Sequence, residues 1–126
     1  MLDGAVVMPD HVHMLLTPVA VRSESGYAGE GTRAPYWISL SEIVKGIKSV
    51  TARKINRLRG RERGSIWLDE YYDRIVRDEE DFMVKIKYMK SNPVKKGLVT
   101  ESEDWDALWI SEKAQIQCGR LFNKKR

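Results

Sequence analysis

Residues 40–59 constrain the fold of this chain more than any other stretch. Leu40, Ile43, Val44, Ile47, Val50, Thr51 and Leu58 recur there at helical spacing, so the segment is predicted to be a helix whose apolar stripe must be covered. Ser39, followed by Glu42 three residues later, forms a capping box. Gly60 and Gly64 end the helix. Lys45, Lys48, Arg53, Arg57 and Arg59 lie largely off the stripe, whereas Lys54 breaks it and is expected to snorkel. The chain has 126 residues, enough for one core and not for two. Its composition, 42% hydrophobic and 32% charged, is that of a globular domain and excludes disordered, collagen-like and low-complexity classes.

The cover for this helix is predicted to be an antiparallel sheet. Residues 4–8 are a short apolar run with two Val, read as a buried strand. Met8-Pro9-Asp10 signals a turn, and residues 11–17 return as a second strand. Residues 21–36 hold three Gly and a Pro without periodicity and read as a long surface loop. Residues 66–76, rich in aromatic and β-branched types, read as a further strand. A second helix is predicted over about 79–91, capped by Asp78, with Phe82, Ile86 and Met89 facing the core and Pro93 stopping it. Glu79, Glu80 and Asp81 suit the positive end of its dipole. Beyond residue 104 the pattern is ambiguous: Trp105, Leu108 and Trp109 read as a packing clasp, and 110–126 as a basic C-terminal tail. The class is therefore α+β, a single domain over 1–126 with both helices on one face of the sheet.

A net charge of +4 hides an asymmetry. Lys45, Lys48, Arg53, Lys54, Arg57, Arg59, Arg61 and Arg63 face only Glu62 within 45–63, and the last seven residues add four more cations. The remainder is net acidic. A basic segment on an acidic body fits a polyanion, nucleic acid first, or a solvated helix face. Cys118, the single cysteine, excludes an internal disulfide framework and any Cys-only zinc site. No apolar run is long enough for a membrane span. The N-terminus lacks a secretory pattern, which favours the cytoplasm.

Only two histidines are present, as His11-Val12-His13. On a strand they project to one face and can chelate a divalent ion, or stand as two solvated side chains. Two ligands hold a metal poorly. Tyr88 and Asn92, four apart on the second predicted helix, share a face beside its apolar stripe. Taken alone, Tyr88 reads as a rim residue and Asn92 as a residue of the last turn. Asp10 adds a carboxylate beside His11 and either tunes that histidine or forms the turn.

Together these segments carry a resemblance. Met8-Pro9-Asp10-His11-Val12-His13-Met14-Leu15-Leu16, Ile47-Lys48-Ser49, Lys54-Ile55-Asn56, Trp67, Tyr71-Tyr72-Asp73, Arg77-Asp78-Glu79-Glu80 and the run from Tyr88 to Val99 follow one another in order over about residues 4–106. They resemble the single-tyrosine transposases with a His-hydrophobic-His (HUH) motif, and among them the bacterial REP-associated tyrosine transposases. The resemblance implies a ferredoxin-like core, His11 and His13 as a metal-binding pair, Asn92 as third ligand, Mg2+ or Mn2+ as the ion, and Tyr88 as nucleophile. It also implies strand cleavage and transfer on single-stranded or hairpin DNA through a 5′-phosphotyrosine, by a monomer or a homodimer. Family members carry a strand and a helix before the segment that begins here at Leu2. A shortened core is therefore expected, with a sheet edge open and one sheet face uncovered.

Two other readings compete: a non-catalytic DNA-binding remnant of a transposase, and a basic RNA-binding domain whose His pair is structural. Tyr36, Trp37 and Trp67 are candidates for stacking on bases, with core or rim packing as the alternative. If the 45–63 segment neutralises about five phosphates, log affinity for single-stranded DNA should fall with log salt at a slope of roughly −3 to −4. Replacing Arg53 and Arg57 with Gln should flatten that slope. A slope near zero in the parent protein would argue against an electrostatic DNA site.

Overall fold

A computed structural model describes residues 1–21 and 36–124, with side chains up to Arg120. Most of the predicted 21–36 loop and the end of the basic tail thus lie outside the described residues. Val21 and Tyr36 form an isolated antiparallel bridge. The chain divides into two compact units, Met1–Thr17 with Ile75–Arg126, and Pro18–Arg74. No described helix is long and apolar enough to cross a membrane.

In the first unit, β1 (Leu2–Val7) and β2 (Val12–Leu16) form the expected hairpin. Its turn is closed by Met8 N–H donating to the His11 carbonyl at 2.8 Å. A bulge between Leu2 and Gly4 leaves Asp3 as the extra residue. The buried Asp3 carboxylate accepts from the Thr17 hydroxyl, which satisfies its charge locally. A third strand, β3 (Leu108–Ile110), pairs with the other edge of β1, giving the antiparallel order β2-β1-β3.

The first unit also holds a helix at Glu79–Lys95 and another at Glu112–Lys124, while the second holds one at Leu40–Leu58; in chain order these are α1 (Leu40–Leu58), α2 (Glu79–Lys95) and α3 (Glu112–Lys124). The core of the first unit joins Val6, Met8 and Leu15 of the hairpin to Ile86 and Met89 of α2, Ile110 of β3 and Ala114 of α3. Asp78 caps α2 as expected, accepting from Asp81 N–H at 2.8 Å. Ser111 accepts from Ala114 N–H at 3.1 Å at the start of α3.

Three expectations are corrected here. Pro93 does not stop α2, which runs on to Lys95 with the proline ring fully buried. The helix loses one ladder bond at that point, and burial of the ring offsets part of the cost. It ends instead at Gly97, whose φ of +67° lets Leu98 N–H reach the Pro93 carbonyl at 3.0 Å. The region after 104 holds a strand and, where a tail is expected, a helix, while Trp105 and Leu108 pack against the core as the clasp reading expects. Trp105 does clasp, donating its indole N–H to the Val7 carbonyl at 3.0 Å, but Trp109 is 50% exposed.

The third correction lies between the helices. Among the described residues, 66–76 form no ladder. In the second unit the Lys48 ammonium donates to the carbonyls of Leu68 at 2.6 Å and Asp69 at 3.1 Å, and lies 3.4 Å from that of Glu70. Leu68 and Tyr72 are 85% and 96% exposed. Aromatic and β-branched residues favour a strand only where a neighbour supplies its hydrogen bonds.

The second unit is built on α1, with the Ser39–Glu42 capping box formed in both directions. Asn56 is buried and donates to the Gly64 carbonyl at 2.9 Å, folding the chain back after the helix. Trp67 donates its indole N–H to the Thr51 hydroxyl at 2.8 Å, so it covers part of the apolar stripe.

Gly4 sets how closely α2 approaches the sheet. A Cβ there would stand 2.8 Å from Met89 Cε, 3.0 Å from Ile110 Cδ1 and 3.5 Å from Ile86 Cδ1. Those atoms end flexible side chains, so Gly4→Ala should be nearly neutral, whereas the branched Gly4→Val should cost about 1–3 kcal/mol by overpacking. Chemical denaturation would measure this, and an unchanged midpoint for Gly4→Val would mean that α2 has room to shift.

Candidate active site

The β1–β2 hairpin and α2 together assemble a polar cluster at the margin of the first unit's core. His13 lies on β2 and His11 just before it, and the two rings stand side by side, centroids 4.8 Å apart and nearly perpendicular. Val6 pairs opposite His13, so His13 shares a face with the buried Val6 and Leu15. Helical spacing puts Tyr88 and Asn92 on one face of α2, next to the buried Ile86, Met89 and Pro93. The two pairs meet. The His13 and Tyr88 rings lie edge to face at 5.3 Å, and the Asn92 amide is 3.5 Å from His11 Nε2.

Each member has a distinct environment. Asn92 is only 5% exposed, whereas Tyr88 is 45% exposed, so its phenol opens to solvent. His11 Nδ1 is 2.5 Å from an Asp10 carboxylate oxygen. That hydrogen bond, aided by the nearby Lys96 charge, holds the Asp10 carboxyl below its ordinary range. Burial, and then the neighbouring His11, push the pKa of His13 down, favouring its neutral form. His13 Nε2 is buried without a hydrogen-bond partner among the described residues. That nitrogen's lone pair is therefore left available as a donor to a cation. The Asn92 amide, turned about its last bond, can present oxygen as a third donor. Two imidazoles and an amide oxygen suit a divalent ion such as Mn2+. No group of three or more His, Cys, Asp or Glu side chains fit to hold a metal occurs among the described residues. A third donor beside the two imidazoles would therefore be of another type, and the Asn92 amide lies against His11.

Two cations near the cluster went unread in the sequence. The Lys95 ammonium lies 5.7 Å from the centre of the Tyr88 ring. It is seven residues, two helical turns, beyond Tyr88, so the same spacing rule that links Tyr88 to Asn92 would have found it. Lys96 follows at the helix end, near Asp10.

The basic segment belongs to the second unit. Lys45, Arg53, Lys54, Arg57, Arg59, Arg61 and Arg63 are exposed, with Arg53 and Arg57 one turn apart on α1. Lys48 is committed to the carbonyls of 68–70, which removes its ammonium from the free cations. Tyr36 and Trp37 are exposed, while Trp67 is held by Thr51. A concavity of about 420 Å3 in this unit is lined by α1 and residues 64–71 and contains none of the four cluster residues.

Neither a family model nor a solved structure matches the chain. Over 100 residues it is 29% identical to a protein of Haemophilus influenzae named "Putative REP-associated tyrosine transposase". The matched stretch covers 79% of this chain and 52% of that protein, so the chain spans about half the length of the curated relative it matches. This similarity supports the family resemblance that the ordered motifs carry, to the REP-associated tyrosine transposases.

Proposed function

We propose that this chain is a transposase-type enzyme that cleaves single-stranded or hairpin DNA and transfers the cut strand, with Tyr88 as nucleophile. The observation that carries this reading is the meeting of His11, His13, Tyr88 and Asn92. They come from segments up to 81 residues apart and occupy the positions that the HUH resemblance assigns to the metal pair, the nucleophile and the third ligand. The name of the similar protein points the same way. The ferredoxin-like core belongs to this proposal, and the β2-β1-β3 order with α2 against β1 is consistent with it.

In this reading His11, His13 and Asn92 would hold Mg2+ or Mn2+. Such an ion, when bound, supplies Lewis-acid polarisation of a non-bridging phosphate oxygen. Tyr88, open to solvent on one side, packs edge to face against His13 beside that site. Its phenol oxygen bonds to phosphorus, the bond to the 3′ oxygen breaks, and a proton leaves the phenol as the departing oxygen gains one. The products are a 5′-phosphotyrosine and a free 3′-hydroxyl, and the covalent link conserves the bond for later joining. Lys95 faces the Tyr88 ring and adds positive charge where the phosphate would lie. The exposed cations of 45–63 would neutralise phosphates of the bound strand.

Two measurements test this reading. Calorimetry with Mn2+ should show at least about tenfold weaker binding for His11→Ala and for His13→Ala, since one imidazole and one amide chelate poorly. Unchanged affinity in both would remove the metal site. The full chain incubated with a labelled single-stranded hairpin and Mn2+ should give a denaturant-stable adduct. Tyr88→Phe should fold and bind DNA as the parent does and give none. An adduct that survives in Tyr88→Phe but disappears in Tyr72→Phe names the wrong nucleophile here. Tight hairpin binding by the parent without any adduct selects the non-catalytic DNA-binding reading. Preference for RNA without a metal effect selects the RNA-binding one.

A further inference from the structure

Asp10 has no task in the reaction proposed above, yet its carboxylate makes the shortest contact in the cluster. It lies in the β1–β2 turn, exposed, with Oδ1 2.5 Å from His11 Nδ1. The turn does not need that side chain. It is closed through the backbone by Met8 N–H and the His11 carbonyl, and Pro9 already fixes its neighbouring φ. An ionised carboxylate only accepts hydrogen bonds, so the contact requires the His11 proton on Nδ1. In the neutral ring the lone pair is then on Nε2. That is the nitrogen turned toward the Asn92 amide.

We infer that Asp10 is a positioning residue, which fixes the tautomer and ring orientation of His11 so that Nε2 is presented as a ligand toward Asn92 and His13. The inference deepens the metal reading of the preceding subsection and rests on it. A carboxylate behind a ligating imidazole raises its basicity and removes the ring's freedom to flip, and losing such a partner typically weakens metal binding 10–100-fold.

The test compares the parent chain with Asp10→Ala and Asp10→Asn by two readouts. The first is nitrogen-15 NMR of the histidine side chains without metal at pH about 8, above the ordinary imidazole range. His11 should carry its proton on Nδ1 in the parent and in Asp10→Asn, whose amide oxygen still accepts. It should lose that preference in Asp10→Ala. The second is calorimetric Mn2+ affinity, expected to fall about tenfold in Asp10→Ala and to recover most of that loss in Asp10→Asn. A parent with the His11 proton on Nε2 overturns the inference, as does an Asp10→Ala variant that keeps the Nδ1 proton. A shifted tautomer with unchanged Mn2+ affinity overturns the ligand-positioning role. A parent that binds no Mn2+ overturns the metal reading itself. The tautomer result then still decides whether Asp10 orients this ring. If Asp10→Ala fails to fold, the parent tautomer and Asp10→Asn decide.

Discussion

The seating of α2 over Gly4 is the interaction on which the rest of the first unit depends. Ile86 and Met89 are buried against β1 and β3, and burying side chains of that size contributes about 1.5–3 kcal/mol each. A hydrogen bond at the 3.5 Å separation of His11 and Asn92 contributes well under the typical value of about 1 kcal/mol. The apolar contacts therefore decide where α2 lies. Helical geometry then carries Tyr88 and Asn92 to their places. The polar cluster is a by-product of core packing, held by forces that its own members do not supply.

Much of this arrangement is legible in the sequence because it is periodic. The hairpin follows from two short apolar runs around Pro9, and α1 and the start of α2 from their apolar spacing and their Ser39 and Asp78 caps. The features that differ from expectation depend on tertiary partners. Pro93 looks like a stop, because a proline removes a ladder bond and hinders the residue before it; its burial decides otherwise, and burial is not written locally. Residues 66–76 have strand composition, but composition cannot supply a neighbouring strand. β3 is three residues long and exists only because β1 offers a free edge to it.

The site divides in the same way. Spacing alone pairs His11 with His13 and Tyr88 with Asn92, each by one local rule. Nothing local says that the two pairs meet, because the register of α2 on the sheet decides that. The expectation that they meet comes from the family resemblance alone. For Lys48, sequence shows a cation on a helix and nothing of the three carbonyls that gather around it.

The first unit is discontinuous in the chain: Met1–Thr17 and Ile75–Arg126 are joined only in space. During synthesis the hairpin emerges before α2, β3 and α3, with its apolar face bare. An isolated hairpin is marginal in water, and α2, β3 and α3 leave the ribosome only after the whole second unit has been made. The histidine pair and Tyr88 therefore cannot come together while the chain is still short. A nascent or prematurely ended chain would display the histidines without the phenol, and the cluster can assemble only once α2 has left the ribosome.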